Sequence, residues 1–266
     1  MPRSWSPNLT LKLTLVTHLA AIFSLFALPA GWPWAVAALI ANHAIITLAG
    51  LLPRCNWLGP TLTQLPESAC RRGEIALTID DGPDPEVTPQ VLDMLDGAGV
   101  KASFFCIGRH ARQYPALCRE IVARGHSIEN HGEAHAWHFS LFGYRRMKAD
   151  ISSAQAILGE LAGQPPRFFR PTAGLRNPFL DPVLTHLGLQ LAAWTRRGYD
   201  TCEADPAIVL GRLCQNLAAG DILLIHDGNS ARNSAGQPVI LSVLPKLLHE
   251  IRAAGLTPVT LSAALK

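Results

Sequence analysis

Two adjacent acids (Asp80, Asp81), two histidines four apart (His131, His135), Arg170 after a Phe-Phe pair, and His226 after Ile-Leu-Leu-Ile are the residues here suited to hydrolytic chemistry. Paired acids put one carboxylate on a metal and leave the next as a base. Asp81, His131 and His135 make a two-histidine, one-carboxylate donor set that leaves coordination positions open for water and substrate. The spacing predicts both imidazoles on one face of a helical turn, although no Glu follows His131 as in the His-Glu-x-x-His protease motif. His226, with an ordinary value near 6.5, suits a general acid. Arg170 suits the role of holding a carboxylate in place.

Each piece also has a plainer reading. Asp81-Gly82-Pro83-Asp84-Pro85 makes a good turn. His126 and His138 show that histidine is common in this region. A lone His226 reads as a satisfied, half-buried histidine, Arg170 as half of a structural ion pair, and Trp194 as core rather than the wall of a sugar site.

The elements that must position these residues alternate. Short apolar runs at 75–79, 101–107, 126–129, 167–169, 189–194, 221–225 and 257–261 read as strands. Helical patterns fall between them, at 86–96, 114–124, 144–161, 178–186, 206–217 and 239–254, several ending at Gly. Seven strands and six helices predict a parallel α/β domain, barrel or doubly wound. In such folds chemistry gathers at the C-terminal ends of strands. Asp80-Asp81, the His131–His135 stretch, Arg170, Trp194 with Asp200 close behind, and His226 all fall at such ends.

Residues 1–60 differ from the rest. They hold Arg3, Lys12 and Arg54 as their only charges and no acid. Residues 9–30 and 32–52 are apolar stretches near the roughly 20 residues that cross a bilayer as a helix. Pro29, Gly31 and Pro33 break them into a hairpin, and Trp32, Trp34 and Trp57 stand at interfacial positions. A signal peptide would need a better cleavage site than Ala27-Leu28-Pro29-Ala30, and cleavage would leave the second stretch attached. Polar Asn42 and His43 in the second stretch, with His18 in the first, predict a contact between the two helices. The expected division is a membrane hairpin at 1–60, a linker at 61–72 and a catalytic domain at 73–266. Arg3 and Lys12 before the hairpin and Arg54, Arg71 and Arg72 after it place both ends, and the catalytic domain, on the cytoplasmic side of a bacterial-type inner membrane by the positive-inside rule. Six unpatterned Cys suit a reducing compartment.

Composition excludes several classes. Hydrophobic residues make up 48%, too many for intrinsic disorder. A net charge of +3 without like-charge blocks argues against nucleic acid as a partner.

Taken in order, Thr78-Ile79-Asp80-Asp81-Gly82-Pro83, Asn130-His131 with His135, Phe169-Arg170-Pro171 and Leu224-Ile225-His226-Asp227 resemble the NodB-type polysaccharide deacetylases, carbohydrate esterase family four. The resemblance covers about residues 73–266. It implies a distorted (β/α)-barrel of about seven strands, here preceded by two N-terminal transmembrane helices. It implies Asp80 as catalytic base, Asp81, His131 and His135 as ligands of a divalent metal ion (zinc foremost, cobalt or another ion as alternatives), Arg170 as the residue orienting the base, and His226 as general acid. It further implies Trp194 bordering the acyl pocket and a backbone donor at Ala173. Asp200 is the candidate acid that holds His226 or Arg170. The sequence departs from the family at Thr172-Ala173, where Pro-Tyr is usual, and at Arg197 and Thr201. Arg196 and Arg197 would suit a phosphate-bearing substrate, with a solvated surface as the plain alternative. The loop 229–237 is either a cover for the substrate or an ordinary surface loop.

The function these implications lead to is a membrane-anchored, metal-dependent N-deacetylase acting on amino sugars of a polysaccharide or a lipid-linked glycan. Alternatives are a deformylase or amidase on a lipid-phosphate-linked sugar, and an inactive membrane-anchored glycan-binding protein.

Overall fold

A computed structural model describes residues 4–266, so Arg3, used in the charge reading, lies outside the described residues. The helices are α1 (Leu9–Ala27), α2 (Trp32–Leu51), α3 (Glu67–Arg71), α4 (Thr88–Ala98), α5 (Gly108–Gln113), α6 (Pro115–Ala123), α7 (Tyr144–Ala162), α8 (Leu180–Leu187), α9 (Pro206–Cys214), α10 (Val239–Ala253) and α11 (Leu261–Ala264). The strands are β1 (Glu74–Asp80), β2 (Ser103–Cys106), β3 (Ser127–Asn130), β4 (Phe168–Phe169), β5 (Gln190–Leu191), β6 (Arg196–Arg197), β7 (Ile222–His226) and β8 (Thr257–Val259).

All strand pairs are parallel, in the order β5-β4-β3-β2-β1-β7-β6, with β8 joining β1 near its start. β1 alternates. Ile75, Leu77 and Ile79 enter the large core beneath α4, α6, α7, α9 and α10, while Ala76, Thr78 and Asp80 face the other way, toward the sheet interior. β7 is in register, so Asp80 stands beside His226 on that interior face. The curl of the sheet is strong. β4 lies three strand steps from β1, about 14 Å on a flat sheet, yet the guanidinium of Arg170 after β4 bonds Asp80 and Thr78 of β1. The result is an incomplete barrel, with β5 and β6 at its open edges.

The expected elements recur, with β1 longer than expected and β2, β4, β5 and β8 shorter. β6 is an addition, and the helix expected at 114–124 is preceded by the separate short helix α5. The stretch 61–72 is not an extended linker. Leu65 and Ala69 are buried in the inner core, and Leu62 bridges to Ala192.

α1 and α2 have a mean hydropathy of 1.7, and nearly all of their side chains face outward. Polar residues of the two helices meet at two places: Thr14 Oγ1 donates to Asn42 Oδ1 at 3.2 Å, and the His18 and His43 rings lie 5.2 Å apart. Core helices of a soluble protein are buried, and these are not.

Candidate active site and metal centre

The strand ends converge on one cavity of about 250 Å³, lined by Asp80, Asp81, His131, His135, Arg170, Ala173, Trp194, Arg197, His226 and Asn229 among others. Asp80 closes β1, and Asp81 follows in a left-handed conformation (φ 76°) that turns its carboxylate to the cavity. This turn packs hard on the one after β7. A side chain at Gly82 would run into the Asp227 carboxylate, and one at Gly228 into the Asp81 backbone. Glycine is required at both places.

His131 and His135 do meet, but not through a helical turn. Residues 131–138 form a loop, with Gly132 at φ 79° and His135 at φ 48°. Side chains hold it: Asn130 Oδ1 accepts the Gly132 N–H at 2.8 Å, and the Asp150 carboxylate accepts those of Glu133 and Ala134 at 3.1 and 3.2 Å. These bonds give the backbone a partner other than a helix, and the chain takes it. Nε2 of each histidine then lies 3.0 Å from Asp81 Oδ1.

That arrangement fits a cation. The Nδ1–H of His131 donates to the Arg170 carbonyl at 2.7 Å, which leaves the Nε2 lone pair facing the cluster. Asp81 Oδ1 is buried without a hydrogen-bond donor, and the ligand atoms of all three residues lie within 4.8 Å of one another. Burial disfavours charge on Asp81, but the two imidazoles beside it outweigh burial and hold its carboxyl well below the usual range. Burial likewise lowers His131, and the Asp80 and Asp81 charges more than reverse this. The cluster attracts positive charge, as a proton or as a metal ion.

Arg170 is 1% exposed. Its Nη1 donates to Asp80 Oδ1 at 2.6 Å and Thr78 Oγ1 at 2.9 Å, while Nε and Nη2 donate to the carbonyls of Ala192 and Ala193. The guanidinium also lies 4.0 Å over the Phe105 ring. It occupies one oxygen of Asp80 and leaves the other, 3.9 Å from His131 Nε2, turned to the metal cluster. His226 is tied to Asp200 twice, by its backbone N–H at 2.7 Å and by Nδ1 at 2.9 Å. Burial lowers the His226 value, but the hydrogen bond it donates to Asp200 and the Asp200, Asp80 and Asp81 charges together outweigh burial, so the imidazole keeps its proton to higher pH than usual. Of the two roles open to Asp200, the structure pairs it with His226.

Trp194 and Ala173 (φ 55°) stand on the cavity wall. Arg197 lies there too, its guanidinium 5.2 Å from the Trp194 ring and 5.0 Å from that of Tyr199. Arg196 is a correction. It turns away to Asp221 at 2.6 Å and the Asn216 carbonyl, so only one of the two cations reaches the mouth. Most of the 229–237 loop closes on itself through Asn233, which accepts from Ala235 and Gln237.

Asn229, at the start of that loop, is a residue the sequence reading missed. Its Nδ2 donates to Asp81 Oδ2 at 3.1 Å, orienting the carboxylate whose other oxygen faces the histidines. Its place two residues after Asp227, at the same strand end as His226, was the available signal.

The chain is similar to known proteins in sequence and in fold. Residues 68–192 match the family model described as polysaccharide deacetylase. A peptidoglycan-N-acetylglucosamine deacetylase of Bacillus cereus is 31% identical over 194 residues, covering 72% of this chain and 88% of the relative. A chitooligosaccharide deacetylase of Azorhizobium caulinodans is 33% identical over 158 residues, covering 59% and 75%. Among solved structures, a family 4 carbohydrate esterase from Streptomyces lividans in complex with acetate aligns with a TM-score of 0.63 at 29% identity, covering 70% of this chain and 91% of that one.

Proposed function

Because the chain belongs to the polysaccharide deacetylase family, carbohydrate esterase family four, we propose that it hydrolyses the N-acetyl amide of amino sugars in a polysaccharide or lipid-linked glycan. The observation that carries this reading is the position of Asp80. One of its oxygens is fixed by Arg170, and the other is turned to the Asp81–His131–His135 cluster.

Asp81, His131 and His135 would hold a divalent ion, zinc foremost or cobalt, which would supply Lewis-acid polarisation of water and of the amide carbonyl. Asp80 takes the proton of the attacking water through its free oxygen. Arg170 keeps that carboxylate oriented in a buried setting. His226, protonated with Asp200 behind it, gives a proton to the leaving nitrogen. One C–O bond forms, one C–N bond breaks, and the products are acetate and a free amino sugar. Ala173 offers a backbone N–H at the wall for the developing oxyanion, and Trp194 bounds the acyl group.

α1 and α2 anchor this hydrolase in a membrane. Their length, hydropathy and outward-facing apolar side chains support the assignment, and a cleaved signal would account for only the first of them. The basic residues flanking the hairpin support a cytoplasmic catalytic domain. A reporter fused to the C-terminus reads that side directly.

The test of the chemistry is acetate release by the full chain, purified in detergent and loaded with zinc, from soluble and lipid-linked N-acetylglucosamine substrates. Asp80→Asn is the control and is expected to be silent. No acetate above that control on any substrate sinks the reading.

A further inference from the structure

The cavity and the membrane hairpin are not separate objects. The backbone N–H of Arg176 donates to the Gly50 carbonyl in the last turn of α2 at 3.1 Å. The Arg176 side chain, in a residue 4% exposed, donates to Thr61 Oγ1 at 2.7 Å and to the Gly59 carbonyl at 3.4 Å. Residues 50–61 are therefore clamped on both sides by one buried arginine, and the bridge from Leu62 to Ala192 continues the clamp into the barrel. A flexible tether, which would let the domain reach outward, is absent here among the described residues.

The clamp puts the end of α2 against the cavity wall. A Cβ at Gly174 would sit 2.9 Å from the Pro53 side chain and 2.6 Å from Trp194, and Gly174 and Trp194 both line the cavity. Arg54 donates to the Thr195 carbonyl at 3.4 Å. One layer of side chain separates the end of the second span from the site of reaction.

The rim has the character of an interface. The loop after His135 exposes Trp137 (83%) and Leu141 (78%). It is fixed by Asn177, which donates to the carbonyls of Ser140 and Phe142 at 2.8 Å each, next to the Arg176 that holds Gly50. Aromatic and apolar side chains exposed beside a span end suit the headgroup level of a bilayer. Two cations flank the mouth. Arg197 lines the cavity with a buried Nε that has no hydrogen-bond partner. Arg54 stands exposed beside Trp194-Thr195.

We propose that the substrate is an N-acylated amino sugar still joined through phosphate to a membrane lipid carrier. The sugar enters the cavity, Arg197 and Arg54 face the phosphate, and Trp137 and Leu141 rest at the membrane surface. This inference rests on the deacetylation reading and on α1 and α2 as spans. It narrows the substrate to one whose amide lies a single sugar ring from an anionic group at bilayer level. Guanidinium groups suit phosphate through their fork of donors.

The experiment compares kcat/KM for acetate release by the full chain in nanodiscs on three probes. These are N-acetylglucosamine linked by diphosphate to a long polyisoprenoid, N-acetylglucosamine 1-phosphate, and a soluble chitooligosaccharide. The lipid-linked probe is expected to exceed the oligosaccharide by about tenfold or more, the scale of one charge-assisted hydrogen bond. It is also expected to exceed the lipid-free phosphate, which separates lipid delivery from phosphate recognition. Arg197→Gln and, separately, the exposed Arg54→Gln are expected to lower the lipid-linked to oligosaccharide ratio several-fold. Equal or faster turnover of the oligosaccharide overturns the inference and leaves deacetylation standing. So does an unchanged ratio in both variants. Silence on all three probes overturns deacetylation, and the inference with it.

Discussion

Arg170, which follows β4, crosses the curl of the sheet to bring its Nη1 within 2.6 Å of Asp80 Oδ1 at the end of β1, with both side chains almost wholly buried. A buried pair of this kind is costly to break, because removing one partner strands the other charge. Arg170→Met is therefore expected to destabilise the fold by about 3–5 kcal/mol. Arg170→Lys keeps the charge but loses the fork that also binds Thr78 and the Ala192 and Ala193 carbonyls. It is expected to fold and to lose about 10²–10³ in kcat through misorientation of Asp80. Urea midpoints and turnover measured on the same preparations separate the two effects. Full turnover in the lysine variant removes the orienting role.

The His226–Asp200 pair makes a pH prediction with a definite sign. Burial lowers the histidine value, and the hydrogen bond to Asp200 with the Asp200, Asp80 and Asp81 charges together raises it by more. A general acid must carry its proton, so the alkaline limb of kcat/KM is expected above the ordinary histidine value near 6.5. In Asp200→Asn the larger raising contribution goes, while burial and the smaller pull of Asp80 and Asp81 remain. The alkaline limb is expected to move to lower pH, with kcat down about 10–100-fold at pH 8. A pH–rate profile of both proteins checks this. A limb that stays in place assigns the alkaline transition to another group.

Asn229 tests whether the cluster is a metal centre with a supporting partner. Purified wild type supplied with zinc or cobalt is expected to hold about one divalent ion per chain, and His131→Ala plus His135→Ala to hold none. Asn229→Ala leaves all three ligands but frees Asp81 Oδ2. Its metal affinity is expected to fall about 10–100-fold, read by competition with a chromophoric chelator. Folded wild type without a stoichiometric ion after zinc or cobalt is added contradicts the metal centre. Unchanged affinity in the asparagine variant removes the supporting role alone.

The sequence was most readable where period and chemistry coincide. The alternation of β1 sends Thr78 and Asp80 inward, and the acids and imidazoles stand at strand ends because parallel α/β chains place them there. The polar residues Asn42, His18 and His43 inside apolar stretches announced a helix–helix contact, and α1 and α2 make it. Other features had no local signal. β6 is two arginines whose pairing with β7 depends on a neighbour 27 residues on, and no apolar alternation marks it. The His131–His135 loop departs from a helix because Asp150, on the distant α7, captures its amides. The packing of 61–72 was partly visible, since Leu62, Leu65 and Ala69 recur at core spacing, but its target, the edge beside β5, is tertiary.

Glu129 gives a stability test away from the cavity. It is 1% exposed in β3, and its Oε2 accepts the backbone N–H groups of Arg167 and Phe168 at 3.0 Å each. Burial pushes its carboxyl up to about 7, against which these two bonds work only in part. The sign follows from linkage. Below its ordinary value near 4.5 the group is protonated in both folded and unfolded chains and contributes no pH dependence. Between that value and about 7 the unfolded chain is ionised while the folded one keeps its proton, so stability falls as pH rises, and it levels off above. At 1.36 kcal/mol per pH unit the penalty reaches at most about 3 kcal/mol. Glu129→Gln resembles the protonated form and is expected to match wild type at pH 4. At pH 8 it should exceed wild type by about 1–3 kcal/mol, with the gap opening across pH 4.5–7. Denaturant unfolding at several pH values measures the gap. A variant less stable than wild type at pH 8 means that the ionised carboxylate, with its two backbone donors, is the form the fold requires.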